Sequence, residues 1–133
     1  NGDALLGWGE QPFMTEFNAK GRPVFDARFV DLNSTYRAFR FAWTGTPATK
    51  PSAAEAVKRG KATAYASWNG ANTVARWRIL GGSSATALKP VAGGAHSAFE
   101  TAVRLPRPEA YIAAQALDAH GKVLGTSAPV KAS

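Results

Sequence analysis

Few residues in this 133-residue chain have the chemistry of a catalyst. With no cysteine, thiolate nucleophiles, disulfides, iron–sulfur clusters and Cys-ligated zinc all drop out. The two histidines, His96 and His120, are the only side chains suited to nucleophilic or acid–base work near neutrality. Neither has an Asp or Glu beside it in a pattern that would orient the ring for catalysis, and both read as plain surface residues. Glu10, Glu16 and Asp26 supply carboxylates without a fixed separation, so solvated strand ends explain them better than a glycosidase pair. No group has metal-ligand spacing, no cofactor is implied, and Gly7-Trp8-Gly9 lacks the helix that a dinucleotide loop requires. Arg37 and Arg40 are the substrate-binding candidates, because a guanidinium offers paired donors to an oxyanion and keeps its charge. The competing role is structural: pairing with Asp26 or Asp31, or stacking on Trp43.

Charge favours an anionic partner without naming it. Sixteen basic and nine acidic residues give +7, and the excess is uneven. Residues 1–50 carry six basic and five acidic side chains (+1); residues 51–133 carry ten and four (+6). Lys58, Arg59 and Lys61 form one cluster, and Arg76 and Arg78 share one face of a strand. The long basic stripe of a nucleic-acid surface is missing, so nucleic acid is disfavoured as a partner while an anionic ligand stays open.

The elements that must position these residues are short strands. Thirteen glycines and eight prolines punctuate the chain. Strands are expected at Ala4–Trp8, Met14–Phe17, Pro23–Phe29 and Ser34–Thr44, forming a meander of about four. Asn18–Arg22 makes a hairpin turn, and Arg37 and Arg40 point to opposite faces of the fourth strand. Gly45–Pro51, with two prolines and no periodicity, reads as a linker. Ser52 and Glu55 fit a capping box, but Gly60 cuts the run short, so an irregular strand is preferred to a short helix.

From Ala62 the rhythm becomes that of a sandwich of about seven strands, including Ala62–Trp68, Thr73–Leu80, Ala98–Leu105, Tyr111–Asp118 and Lys122–Ser127. Asn69-Gly70 and Ala119-His120-Gly121 mark two hairpins, and Trp68 is the expected core anchor. Ala75, Trp77 and Ile79 should face inward. Tyr111–Leu117 is apolar on both faces, as a central, doubly covered strand would be. Trp8, Trp43, Trp68 and Trp77 could form a sugar platform, but core packing explains those on apolar faces. Asn33-Ser34-Thr35 has the form of a glycosylation acceptor. The fold class is therefore all-β, divided into strands at 1–45, a linker at 46–54 and a β-sandwich at 55–133. No stretch reaches the roughly 18 apolar residues of a membrane span. The opening Asn1-Gly2-Asp3, without Met or leader, reads as a processed or excised piece.

Several segments together resemble a known family. Gly7-Trp8-Gly9 with Gln11-Pro12, Glu16–Gly21 and Phe25–Phe29 are similar to the end of an arylsulfotransferase-type β-propeller of the secreted actinobacterial and fungal branch. Tyr36–Pro47, Ser67–Ala71, Val74–Arg78, Phe99–Thr101 and Gln115–Asp118 extend the resemblance over nearly the whole chain. It implies the C-terminal part of a longer, secreted or cell-surface protein: the last propeller strands, followed by an immunoglobulin-like or fibronectin type III-like sandwich. Such a parent moves a sulfuryl group between phenols, with a propeller-centre histidine as nucleophile in the better-studied branch. Neither His96 nor His120 matches that position, so this fragment is expected to be non-catalytic, with the remaining blades or a second chain as partner. A glycan- or polyanion-binding sandwich of a secreted protein is the alternative.

Overall fold

The structure is a computed structural model that describes residues 2–30 and 33–132. It is all-β and antiparallel, with eleven strands among the described residues. The chain divides into two compact units, Asn1–Trp43 and Thr44–Ser133.

The first unit is a three-stranded meander of β1 (Ala4–Gly7), β2 (Phe13–Phe17) and β3 (Pro23–Arg28), in that order across the sheet. Gly21 adopts φ 71° at the β2–β3 turn, where an L side chain would be strained. Asn18 completes the turn, its Oδ1 accepting from the amides of Lys20 (2.9 Å) and Arg22 (3.1 Å).

The expected fourth strand does not form. Across residues 34–44 the only ladder contact is an isolated bridge between Gly9 and Thr35. Thr35 is the anchor instead: it is buried, accepts from the Trp8 amide at 2.9 Å, and donates to the Phe13 carbonyl at 2.9 Å. A Cβ on Gly7 would run into the Thr35 carbonyl oxygen, so glycine permits this close approach. Alternating aromatics favour a strand only where a partner strand and a covering layer exist. Beyond Thr35, Tyr36 (80%), Phe39 (70%), Phe41 (79%) and Trp43 (80%) are largely exposed.

The second unit is a two-sheet sandwich. One sheet contains β4 (Ser52–Lys58), β5 (Lys61–Ser67) and β8 (Glu100–Arg104), ordered β4-β5-β8. The other contains β6 (Arg76–Gly82), β7 (Lys89–Ala95), β9 (Tyr111–Leu117) and β10 (Val123–Thr126), ordered β10-β9-β6-β7. The short β11 (Val130–Lys131) pairs with the beginning of β9, while β10 pairs with its end.

Eight strands thus stand where the sequence suggested about seven. The capping-box segment is the strand β4, as the preferred reading had it, joined to β5 through Arg59 and Gly60, both at positive φ. Residues 45–51 are packed on this unit rather than free: the Gly45 amide donates to Asn72 Oδ1 at 2.7 Å, Trp68 Nε1 donates to the Thr49 carbonyl at 3.0 Å, and Pro51 is buried. The linker reading fails because proline-rich chain can be fixed by side-chain donors and acceptors that periodicity does not reveal.

The core is built from small residues facing large ones. Ala62, Ala64 and Ala66 of β5 meet Trp77 and Ile79 of β6, together with Ile112, Ala114 and Ala116 of β9. Trp77, 2% exposed, fills the space that the alanines leave. Trp68, expected as the anchor, is only partly buried, and Val74 rather than Ala75 turns inward. Central β9 buries residues on both faces, Ala113 and Leu117 on one and Ile112, Ala114 and Ala116 on the other, in line with its unalternating sequence.

Candidate functional site

Arg40 and Arg37 do not converge. Arg40 Nη1 donates to Glu16 Oε1, an ion pair that joins the 34–43 segment to β2. Glu16 is buried at the middle of the meander, opposite Phe25 in the register, and a carboxylate there requires a cation. The pair borders a largely apolar recess of about 280 Å³ lined by Leu5, Met14, Phe25 and Phe39. The Arg37 guanidinium lies 5.4 Å from the centre of the Tyr36 ring, a cation–π contact. The opposite-faces argument lapses with the strand it assumed. The spacing of 24 residues between Glu16 and Arg40 gives no local signal of their pairing. Asp31, the other pairing candidate, lies outside the described residues.

The histidines are structural in two ways. His96 Nδ1 accepts from Trp77 Nε1 at 3.3 Å, with ring centres 6.4 Å apart, so the exposed imidazole closes over a buried indole. Its amide also donates to the Ala75 carbonyl at 2.9 Å. His120 occupies the β9–β10 turn, where Asp118 Oδ1 accepts from the amides of His120 and Lys122, both at 2.9 Å. Those amide hydrogen bonds, Lys122 foremost, hold the Asp118 carboxyl below its ordinary value.

A second perturbed acid lies in the sandwich, at a position that no catalytic spacing marks. Glu55 on β4 is buried; its Oε1 accepts from the Glu109 amide at 3.4 Å, and its Oε2 has no hydrogen-bond partner among the described residues. Burial raises its pKa above the ordinary value, and the nearby negative charge of Glu109 adds to the rise, while the amide hydrogen bond opposes both. The Glu109 carboxylate is itself buried and paired with Arg107 Nε at 3.1 Å. No sequence spacing connects residues 54 apart.

Among the described residues no three His, Asp or Glu side chains gather as a metal site. The Asn33-Ser34-Thr35 motif also has a structural role, since the Thr35 hydroxyl is spent on the backbone. No helix of the described residues is long and apolar enough to cross a membrane. Comparisons with protein families, curated proteins and solved structures gave no match for this chain.

Proposed function

We propose that this chain is a non-catalytic C-terminal portion of an arylsulfotransferase-like protein whose parent transfers sulfuryl groups between phenolic compounds. The meander supplies the final propeller strands, and the second unit is an immunoglobulin-like or fibronectin type III-like sandwich outside the propeller. One observation carries the reading: Tyr36, Phe39, Phe41 and Trp43 are 70–80% exposed beside a sheet of only three strands. Propeller blades are larger, and repeat units of this kind bury their faces on neighbours. The preceding blades of the same polypeptide are therefore the partner we favour, and secretion or surface display follows from the family resemblance.

Two measurements test this. A phenyl sulfate transfer assay on the isolated chain should give no phenol release above background, and turnover would overturn the non-catalytic role. Mass measurement of the polypeptide from its natural source should reveal additional propeller-sized sequence. A native species of 14.0 kDa with no companion chain would overturn the fragment reading.

A further inference from the structure

The outer face of the five-stranded sheet carries a basic trough separate from the structural role proposed above. Arg76 and Arg78 project from the same side of β6, about 7 Å apart along the strand by ordinary strand geometry. In the register, Arg76 lies between Ala95 of β7 and Leu117 of β9, and Arg78 between Gly93 and Gln115. The β7 side is almost bare main chain, Gly93-Gly94-Ala95, which leaves a trough of about 410 Å³ beside the arginines.

Among the described residues neither cation makes a salt bridge; Arg78 reaches the neutral Gln115 Oε1, at 3.4 Å. Gln115 Nε2 in turn donates to Thr126 Oγ1 at 3.3 Å, so the row across the sheet contains no carboxylate. Asp118, one residue beyond Leu117, uses Oδ1 on its own turn.

The geometry points to a binding site for an acidic polysaccharide, with Arg76 and Arg78 each engaging a sulfate or carboxylate group. Guanidinium donors match such oxygens in pairs and retain their charge at any physiological pH. The rest of the lining is aliphatic or bare main chain, with exposed Pro90 offering C–H surface to sugar rings. Single-stranded nucleic acid is recognised by stacking bases on aromatic rings. This trough has none among its lining residues.

Affinity of the full chain for heparin and for polygalacturonate, measured over a salt series, tests the assignment. The double variant Arg76→Gln/Arg78→Gln should bind at least one glycan tenfold or more weakly than the wild type, and should lower its log–log salt slope by about two, near one per lost contact. Lys58→Gln/Lys61→Gln removes the same charge at the β4–β5 turn and should change little. Ala95→Glu, which places a carboxylate beside Arg76, should weaken binding without removing either arginine. Unchanged far-ultraviolet circular dichroism and an unchanged urea midpoint would confirm that each variant is folded. Equal losses in the two charge-matched double variants would overturn the site in favour of diffuse attraction. Failure to bind either glycan, or tighter binding of oligothymidylate than of both, would overturn the ligand class.

Discussion

Trp77 donates its indole N–H to Nδ1 of His96 at 3.3 Å, linking the largest side chain in the core to a residue on the surface. Replacing His96 with Phe would keep a ring over the indole but remove the acceptor. A buried donor left without a partner costs about 1–3 kcal/mol. The expected outcome is a lower urea midpoint with an unchanged m-value, and a change in the indole N–H resonance of Trp77 in the folded state. A midpoint equal to wild type would show that water replaces the imidazole at no cost.

The contrast between hairpins and long-range pairs shows what could be read from the chain. Asn18-Ala19-Lys20-Gly21-Arg22 and Asp118-Ala119-His120-Gly121-Lys122 carry the same turn chemistry. Both close antiparallel hairpins with a left-handed Gly and an Asn or Asp side-chain acceptor. Local rules suffice there. Asn69-Gly70 also turns, with the Ala71 amide donating to the Trp68 carbonyl at 3.3 Å. Yet β5 and β6 belong to different sheets, so this turn is the start of a crossover and not a hairpin. The dipeptide fixes a bend, whereas the sheet that the next strand joins is decided by burial of Trp77 and Ile79. Strand β7, KPVAGGA, carries no strand signal of its own, because proline and paired glycines have poor strand propensity. Its pairing with β6 supplies what its own sequence does not. Of the candidate site, Arg37 and Arg40 could be picked out by type. The Glu16 partner could not, since only the fold brings β2 beside residue 40.

That ion pair makes a direct prediction for the first unit. Arg40→Met would leave the buried Glu16 carboxylate without its cation. Full burial of both partners would cost about 3–5 kcal/mol, and with Arg40 largely exposed about 1–3 kcal/mol is expected. Hydrogen exchange of the β2 amides should accelerate while β6 and β9 are unaffected. The companion Glu16→Gln/Arg40→Met variant should recover part of the loss, and no recovery would mean that Arg40 contributes through packing alone.

Thr35 predicts where the same unit opens. Thr35→Val keeps the shape but removes one hydroxyl that serves both the Trp8 amide and the Phe13 carbonyl. A cost of about 1–3 kcal/mol is expected, from a buried amide and carbonyl losing that partner. Limited proteolysis should then cut more readily after Tyr36, Phe39 or Phe41, whereas the cleavage pattern of residues 52–131 should not change.

The two perturbed carboxyls pull the pH dependence of the sandwich in opposite directions. Asp118 is held below its ordinary 3.8, so its stabilising effect is present above that value and is lost as pH falls through the lower folded value. Asp118→Asn should therefore flatten the acid limb of a stability curve, read as loss of β10 amide protection.

Glu55 works the other way, because its folded pKa lies above the ordinary 4.5, chiefly through burial. Where the folded state binds its proton more tightly than the unfolded chain does, stability falls as pH rises. The contribution is complete below about 4.5 and disappears as pH climbs through the folded value, leaving a buried carboxylate whose Oε2 has no partner among the described residues. Glu55→Gln keeps an oxygen for the Glu109 amide and removes the charge that Glu109 repels. The variant should be more stable than the wild type at pH 7, and the advantage should shrink towards zero by about pH 4. Denaturant midpoints at the two pH values decide it. A variant less stable at pH 7 would show that the Glu55 charge is compensated within the fold, and that its burial carries no penalty.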